Sequence, residues 1–259
     1  MQQDLRVLTG IVKYNNEIAA QVYEMTIAAE GMGNFIPGQF INVYLDDKSM
    51  LLPRPISISD GSNGGITLIY KIVGKGTAQL SECRVGAPIR VSSPLGNGYS
   101  IKEACSGSSV ALVAGGMGAP PMVGLAKALK ERGACLDVFL GFQTGAYLAD
   151  RFETVARDLY IATDDGSTGF HGNVVELLEK NDRVYDEYFS CGPRAMLKAL
   201  CGYAANVGRN VQVSIEERMG CGYGACVGCS CRIMESGKTT RKSVCKDGPV
   251  FAGKDVVWD

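Results

Sequence analysis

Four cysteines close to the C-terminus constrain the fold of this chain more than any other feature. Cys221, Cys226 and Cys229 stand in one glycine-rich run, and Cys245 follows after a longer interval. Four residues separate the first two cysteines and two separate the next two, which is the plant-type ligand spacing of a [2Fe–2S] cluster. The spacing suits a compact loop that turns three thiolates toward iron, while a separate segment closes the cage. The glycines between the cysteines favour such a loop, because they tolerate positive φ angles.

Other uses of these cysteines stay open at this point. Zinc also binds four cysteines, although structural zinc sites usually pair them in two short knuckles and here the fourth cysteine stands alone. Disulfides would suit a chain with ten cysteines, but no targeting segment indicates an oxidising compartment. Cys231 lies two residues after Cys229 and competes with it as a ligand. We favour Cys229, because it completes the spacing of four residues and then two.

Composition limits the class of partner. The 259 residues suffice for two or three modules, and 26 Lys and Arg nearly balance 27 Asp and Glu. No basic field therefore points to nucleic acid or anionic lipid. Residues 110–126 approach a membrane-spanning length, but their glycines and prolines would break a membrane helix, so we expect a cytoplasmic protein without a transmembrane segment. The single histidine, His171, argues against a His-ligated metal site and is expected in a loop.

The pattern of apolar and turn-forming residues predicts three domains and a multidomain β plus α/β fold. Residues 1–103 hold short segments rich in Val, Ile and Tyr between turn residues, which predicts a small antiparallel β-barrel. Residues 104–210 alternate strand and helix patterns, as in a strand at 109–114 and a helix at 122–129, which predicts a doubly wound parallel sheet. Residues 211–259, rich in cysteine and glycine, form the predicted cluster domain.

Two segments of the predicted barrel suit a flavin nucleotide. The first follows a predicted strand, and its Arg54 can make a bidentate contact to a pyrophosphate while Ser57 points its hydroxyl at a flavin ring. The second runs from a strand through glycines to a helix start, where free N–H groups bind anions. By itself, the first segment also fits an ordinary turn with a solvated arginine. The candidate residues that these two segments supply are Arg54, Ser57, Lys71, Gly76 and Thr77.

Three segments of the predicted α/β domain suit a nicotinamide nucleotide. A glycine loop stands between a strand and a helix, although it lacks the spacing of the dinucleotide fingerprint. An acidic pair follows a later strand, where it would contact a ribose hydroxyl and repel a 2′-phosphate. A Cys-Gly-Pro run lies between another strand and helix. Each segment also fits a plain turn or a buried cysteine. The candidate residues are Gly115, Gly116, Gly118, Asp164 and Cys191.

The motifs and their order resemble the ferredoxin–NADP reductase superfamily. Its pattern is Arg-x-x-Ser in one barrel strand and a Gly-Thr helix start after the next, and its cysteine motif sits beside the nicotinamide. Residues 216–222 and 244–251 narrow the resemblance to the electron-transfer subunit of type B dihydroorotate dehydrogenase. Lys71 stands where related reductases often have Arg, which weakens bidentate phosphate recognition there. In that family the four cluster ligands correspond to Cys221, Cys226, Cys229 and Cys245. The resemblance also implies the flavin contacts, which correspond to Arg54, Pro55, Ile56, Ser57, Ile69, Tyr70, Lys71, Gly76 and Thr77.

The resemblance implies an NAD-linked oxidoreductase subunit that holds FAD and a [2Fe–2S] cluster. Its partner would be a catalytic subunit whose FMN oxidises dihydroorotate, in a heterotetramer with two copies of each subunit. Electrons would pass from FMN through the cluster and FAD to NAD⁺ in pyrimidine biosynthesis. We expect no catalytic residue in this chain, since none resembles a general base for dihydroorotate. The alternatives are a subunit of another NAD(P)-linked flavin and iron–sulfur oxidoreductase, of ferredoxin:NADP or sulfide type, or a zinc-stapled nucleotide-binding regulatory module.

Overall fold

The structure, a computed structural model, describes residues 5–47, 49–62, 64–104 and 106–258. These residues divide into two compact units, each continued by later segments of the chain. The first unit contains the described residues up to 98, together with 216–230 and 242–249. The second contains 99–215, 231–241 and the described residues from 250 onward.

Six strands of the first unit close into an antiparallel barrel in the order β1-β2-β5-β4-β3-β6. This confirms the predicted N-terminal barrel. The motif that begins at Arg54 was expected to follow a strand, whereas it opens the strand β4 itself. The elements of the barrel are β1 (Val7–Ala19), β2 (Val22–Ala28), β3 (Phe40–Tyr44), β4 (Arg54–Ser62), β5 (Gly65–Lys71), α1 (Lys75–Ser81) and β6 (Pro88–Ser92).

The barrel encloses an apolar core because its strands alternate inward and outward side chains. On β3, Ile41 and Val43 are fully buried in this core, and on β5 Leu68 and Tyr70 join them. The short helix α1 adds Leu80 to the same core. Burial of such side chains stabilises a fold by about 1.5–3 kcal/mol each. The outward residues of β3 and β4 are thereby held in fixed positions.

The second unit contains a seven-stranded sheet in the order β10-β9-β8-β7-β11-β12-β15. Every pairing from β10 to β12 is parallel, and β15 pairs with β12 antiparallel. This confirms the predicted parallel α/β sheet. The elements are β7 (Ser109–Gly115), α2 (Met122–Glu131), β8 (Cys135–Phe142), α3 (Ala149–Glu153), β9 (Asp158–Thr163), β10 (Phe170–His171), α4 (Val174–Glu179), β11 (Glu187–Cys191), α5 (Arg194–Asn206), β12 (Asn210–Ser214), β13 (Ser230–Glu235), β14 (Lys238–Ser243), α6 (Val244–Asp247) and β15 (Val250–Ala252).

The apolar stretch at residues 110–126 is the centre of this sheet. It supplies most of β7, the glycine turn after it and the start of α2. A parallel strand covered on both faces reads as a continuous apolar run, which explains the absence of charge. No helix within the described ranges is long and apolar enough to span a membrane.

The segment after residue 210 contributes to more than one sheet. β12 and β15 extend the sheet of the second unit, while β13 and β14 form a separate two-stranded sheet. The loop at 216–230 and the helix α6 belong to the first unit. The division into domains at residues 103 and 210 stays a prediction. The observed units differ from it because backbone pairing draws β12 and β15 into the α/β sheet.

Candidate functional site

The four cysteines predicted as cluster ligands lie in two segments of the first unit. Cys221, Cys226 and Cys229 stand in the loop between β12 and β13, and Cys245 lies in α6. The backbone N–H of Val244 donates to the carbonyl of Cys229 over 2.9 Å. This bond joins the two segments, so residues far apart in sequence form one cysteine cage.

Backbone N–H groups point at three of the four sulfur atoms. Gly224 N–H lies 3.1 Å from Cys245 Sγ, and Cys226 N–H lies 3.4 Å from Cys221 Sγ. The N–H of Cys245 lies 3.4 Å from Cys229 Sγ. Such contacts stabilise thiolates and tune the potential of a cluster that they hold. The donors of this cage therefore suit an iron–sulfur cluster.

Backbone contacts group the four cysteines into two pairs. The N–H of Cys226 contacts Sγ of Cys221, and the N–H of Cys245 contacts Sγ of Cys229. We call the first pair the open end of the cage, because Cys226 is exposed and Cys221 partly exposed. The second pair is the buried end, where Cys229 and Cys245 are each 1% exposed. A [2Fe–2S] cluster shares four thiolates between two irons, and this pairing fits that requirement.

The two ends differ in their affinity for protons. Partial burial raises the pKa of Cys221, but loop N–H groups, foremost that of Tyr223, outweigh it and lower the pKa to about 6. At the buried end, burial and the neighbouring Cys229 thiol raise the pKa of Cys245 to about 12. A thiol that ligates iron is deprotonated by the charge of the metal, so the buried end depends more on the metal than the open end does.

Among the described residues, no group of three or more His, Cys, Asp or Glu side chains is arranged to hold a metal ion. No disulfide joins the nine cysteines that the structure describes. Cys231, the competing ligand, lies in β13 and belongs to the second unit, whereas all four favoured ligands belong to the first.

The cage loop contains residues with left-handed backbone angles. Gly222 and Gly224 have φ angles of 77° and 89°. A side chain at Gly224 would also place its Cβ 2.7 Å from Cδ of Lys246. Val227 has a φ of 49°, although a β-branched residue there is a genuine outlier. The loop therefore adopts backbone φ angles that the conformational preference of a residue such as Val227 would not select.

Arg54 lies against the first turn of α1, in the manner expected of a phosphate-binding residue. A Cβ at Gly76 would stand 2.8 Å from both Cδ and Nε of Arg54, so only glycine lets the arginine lie there. Nη2 of Arg54 donates to the Leu52 carbonyl over 2.8 Å. Its Nε is buried and has no hydrogen-bond partner among the described residues. A buried guanidinium donor without a partner fits a bound pyrophosphate.

The other candidate flavin residues divide between surface and core. Ile56 and Tyr70 send their side chains into the barrel core, and Ile69 is buried as well. Pro55 and Ser57 are partly exposed and Lys71 is exposed. Burial raises the pKa of the Tyr70 hydroxyl well above the ordinary value, although its hydrogen bond to Asn15 Oδ1 acts in the opposite direction. The side chains of Ile56 and Tyr70 are thus occupied by the core, so their main chains are what a flavin could contact.

Thr77 uses its hydroxyl within the loop that leads into α1. Its Oγ1 accepts hydrogen bonds from the backbone N–H groups of Val73, at 2.9 Å, and Gly74, at 3.3 Å. The hydroxyl also donates to the Gly74 carbonyl over 3.2 Å. Thr77 therefore fixes the shape of the glycine loop beside Arg54.

The glycine loop of the second unit meets the Cys191 turn directly. Both follow the C-terminal ends of the adjacent parallel strands β7 and β11. A Cβ at Gly118 would stand 2.1 Å from the carbonyl oxygen of Cys191, and one at Gly115 would stand 2.7 Å from Met196 Sδ. Gly116 has a φ of 52°. Close approach of the two turns explains why this loop needs its glycines.

Asp164 lies at the same strand-end edge, but two strands away from the glycine loop. It follows β9, and its N–H donates to the carbonyl of Phe142 at the end of β8 over 3.0 Å. Its neighbour Asp165 accepts hydrogen bonds from Ser167, which chiefly lower the pKa of Asp165 to about 2. Asp165 thus stabilises its own turn, which leaves Asp164 as the acid better suited to a ribose. His171, expected in a loop, lies in the short strand β10.

Two barrel asparagines that the sequence analysis did not select also contact the cage. Asn42 donates from its amide nitrogen to the Cys221 carbonyl, and Asn97 donates to the Asp247 carbonyl. A signal for Asn42 exists in the sequence, because it interrupts an apolar strand between Ile41 and Val43. No comparable signal marks Asn97.

Comparison with known proteins decides the family. The model of the iron–sulfur cluster binding domain of dihydroorotate dehydrogenase B matches residues 216–257. The electron transfer subunit of dihydroorotate dehydrogenase B (NAD⁺) from Bacillus caldolyticus is 42% identical over 245 residues, covering 93% of this chain and 94% of the relative. This chain belongs to that family. The subunit of the same name from Fusobacterium nucleatum subsp. nucleatum is 39% identical over 259 residues, covering 95% of this chain and 96% of the relative.

This member of the dihydroorotate dehydrogenase B electron transfer subunit family also resembles a reductase of known structure. The structure of an NADH-dependent reduced ferredoxin-NADP oxidoreductase superimposes with a TM-score of 0.83 at 31% identity. The match covers 96% of this chain and 90% of that one. The family and superfamily predicted from the motifs are both confirmed.

Proposed function

We propose that this chain is the electron-transfer subunit of an NAD⁺-dependent dihydroorotate dehydrogenase of pyrimidine biosynthesis. In this proposal, electrons from the FMN of a catalytic partner pass through a [2Fe–2S] cluster and FAD to NAD⁺. The observation that carries it is the cysteine cage with its two cysteine pairs, in a chain 42% identical to a subunit of that name. Dihydroorotate oxidation itself belongs to the partner.

The residues of this chain hold and orient the cofactors. FAD and the cluster, when bound, supply the conversion between two-electron and one-electron transfer. Cys221, Cys226, Cys229 and Cys245 ligate the irons, and loop N–H groups stabilise their sulfurs. Arg54 binds the flavin pyrophosphate with its Nε, which has no hydrogen-bond partner among the residues that the structure describes. Pro55 and Ser57, partly exposed on the same strand, provide contacts for the flavin ring.

Residues of the second unit orient the nicotinamide nucleotide. The loop of Gly115, Gly116 and Gly118 offers backbone at a strand end, where open α/β sheets bind ligands. Cys191, against which Gly118 packs, stands next to it. Asp164 accepts from the ribose hydroxyls, and its negative charge repels the 2′-phosphate of NADP. The proposal therefore names NAD⁺ as the electron acceptor.

The partner is an FMN-containing catalytic subunit in a heterotetramer with two copies of each chain. The name shared by the relatives, electron transfer subunit, supports a partner of this kind. The cytoplasm is the proposed location. Light scattering on the complex purified from the native host would measure the assembly. Two copies of this chain with two of an FMN protein are expected, and a mass for this chain alone would contradict the arrangement.

A visible absorption spectrum of the anaerobically purified protein tests the cofactors. Flavin and iron–sulfur bands that bleach on addition of NADH are expected. A colourless protein that retains zinc would overturn the proposal in favour of a regulatory module. Cys226→Ser is expected to remove the cluster bands and partner-linked turnover, while NADH oxidation by an artificial acceptor remains. Intact cluster content in that variant would show that the ligand set is wrong.

Arg54→Ala tests the flavin site. Removing the guanidinium removes the donor beside Gly76, so the variant is expected to lose FAD during purification. Arg84→Ala is the matched control, because it removes an exposed arginine from the same unit and is expected to retain FAD. Flavin content, measured after denaturation, decides the result. Equal retention in both variants would exclude Arg54 from pyrophosphate binding.

One second candidate has support from a specific observation. The 31% identity to an NADH-dependent reduced ferredoxin-NADP oxidoreductase favours a subunit of that redox class. It would share the cage and the flavin barrel but would have another partner. Copurification with a dihydroorotate-oxidising FMN protein supports our proposal. Copurification with a second pyridine-nucleotide flavoprotein, together with ferredoxin-linked activity, supports the alternative.

A further inference from the structure

Two asparagines of the barrel reach the two segments that carry the cage cysteines. Nδ2 of Asn42, on β3, donates to the carbonyl of Cys221 over 2.9 Å. Asn97, which follows β6, donates from its backbone N–H to the Gly248 carbonyl over 2.6 Å. Its Nδ2 lies 3.2 Å from the Asp247 carbonyl. Each ligand-bearing segment thus has its own attachment to the barrel, within one compact unit.

Asn42 is held rigidly for this contact. It is fully buried, and its own N–H donates to Oγ of Ser92 over 2.9 Å. Ile41 and Val43 on either side point into the barrel core, so the Asn42 side chain faces outward. A buried side chain fixed by its strand loses little entropy when it makes a hydrogen bond.

The amide of Asn42 fills the space that a side chain at Gly222 would occupy. A Cβ at Gly222 would stand 2.5 Å from Oδ1 and 2.6 Å from Nδ2 of Asn42. Gly222 also has a φ of 77°, which other residues rarely adopt. The amide and the glycine backbone are therefore complementary, and the Cys221–Gly222 peptide is pressed against β3.

The amide of Asn42 makes its hydrogen bond to the cage through its nitrogen and not through its oxygen. Oδ1 is buried and has no hydrogen-bond partner within the described part of the chain. A buried acceptor without a partner destabilises the fold, because it has lost its hydrogen bonds to water. An apolar side chain would avoid this cost at the same position, but it would leave the Cys221 carbonyl without its donor.

We propose that Asn42 and Asn97 are the positioning residues that hold the cluster cage at a fixed place on the flavin barrel. Asn42 fixes the open end through the Cys221 peptide, and Asn97 fixes the segment that follows Cys245. Asn42 pairs across the ladder with Pro55 of β4, the strand predicted to contact the flavin. Fixing the cage on β3 therefore fixes its separation from the neighbouring strand. The inference rests on the proposed cluster and flavin sites.

Asn42→Asp and Asn42→Ala test the open end in the full-length protein. Aspartate keeps the shape but cannot donate to the carbonyl, and it adds a negative charge, which is expected to lower the midpoint potential of the cluster. Both variants are expected to lose the cluster to a chelator about 10–100-fold faster than the wild type, by analogy with the loss of metal affinity that follows removal of groups hydrogen-bonded to metal ligands. The electron paramagnetic resonance signal of the reduced cluster is expected to shift in both.

Asn15→Ala is the matched control. Its Nδ2 donates to the Leu80, Ser81 and Cys83 carbonyls near the end of α1, so it removes the same amide elsewhere in the barrel. The variant is expected to keep the cluster signal and the chelation rate of the wild type. Loss of the cluster in Asn15→Ala as well would mean general destabilisation of the barrel and would overturn a specific role for Asn42.

If the Asn42 variants do not fold, Asn97→Ala tests whether the asparagines position the cage. Asn97 is partly exposed, and its backbone bond to Gly248 survives the substitution, so a smaller but measurable acceleration of cluster loss is expected. Wild-type signal, potential and chelation rate in Asn97→Ala and in every folded Asn42 variant would overturn the inference. A wild-type protein without iron would instead refute the proposed function, so the two failures are distinguishable.

Discussion

The open end of the cage differs from the buried end in exposure and in proton affinity, although each contributes two cysteines. Cys226 is exposed, whereas Cys229 and Cys245 are each 1% exposed. The pKa of Cys221 is lowered to about 6 and that of Cys245 is raised to about 12. The buried end therefore serves as part of the fold, and the open end is where a cluster would meet solvent or a partner.

Substitution of a ligand cysteine at either end of the cage is expected to give the largest effect, which is loss of the cluster. Cys245→Ala and Cys226→Ala are both expected to abolish cluster absorbance, because each removes one of four ligands. They are expected to differ in the cluster-free protein, whose free energy of unfolding falls by about 1–2 kcal/mol for the buried residue and by less than about 0.5 kcal/mol for the exposed one. Urea denaturation of chelator-treated protein measures the difference.

Cys231→Ala is the control for this pair. Cys231 is 5% exposed and lies two residues after Cys229, but it is excluded from our ligand set. The variant is expected to retain full iron while losing stability like other buried positions. Loss of iron would replace Cys229 with Cys231 in the ligand set. Equal stability of Cys245→Ala and Cys226→Ala would remove the distinction between the two ends.

The four cysteines could be selected from the sequence because the spacing of their loop is local. Three cysteines within nine residues limit each other's positions, whatever the rest of the fold does. The contacts of Asn42 with Cys221 and of Asn97 with Asp247 span 179 and 150 positions. No local pattern encodes them, so the attachments of the cage became visible only in the structure.

In the barrel, the alternation of side chains along β5 would have separated core residues from surface residues among the candidate flavin contacts. Ile69, Tyr70 and Lys71 were grouped as flavin contacts, yet in a strand their side chains alternate between faces. The Tyr70 ring accordingly lies in the core and Lys71 is exposed. The pairing of β15 with β12 was missed for another reason, since a three-residue strand has too few positions for a periodic signal.

Alkylation of the cluster-free protein tests the proton affinity of the open end. Cys221 thiolate is favoured down to about pH 6, whereas an ordinary cysteine titrates near about 8.5. Iodoacetamide modification of Cys221 is therefore expected to reach half its maximal rate near pH 6. The thiolate contributes stability that is present above the ordinary pKa and is lost as the pH falls through about 6.

Cys83 serves as the reference thiol in the barrel. Burial, with a smaller contribution from Glu82, raises the pKa of Cys83, so its alkylation is expected to require a pH above that of an ordinary cysteine. Peptide mass spectrometry separates the two sites in one sample. If Cys221 is modified with the same pH profile as Cys83, the N–H groups of the open end do not stabilise its thiolate.

Val227 provides the smallest and sharpest test of the open end. Its φ of 49° carries a strain of about 1–3 kcal/mol, which glycine relieves at an entropic cost of about 0.5–1 kcal/mol. Val227→Gly is thus expected to raise the free energy of unfolding by about 0.5–2 kcal/mol with the cluster retained. Val85→Gly, at a valine of the same 65% exposure but without a positive φ, is expected to lower it.

Two measurements on both valine variants distinguish two explanations of the strain. These are denaturation with the cluster bound and the midpoint potential of the cluster. If Val227→Gly stabilises the protein and leaves the cluster potential unchanged, the strain only reflects the tight spacing between Cys226 and Cys229. If stability rises but the potential shifts, the valine side chain shields the open end from water. A fall in stability equal to that of Val85→Gly would mean that the loop contains no strain there, and exposure alone would distinguish the two ends.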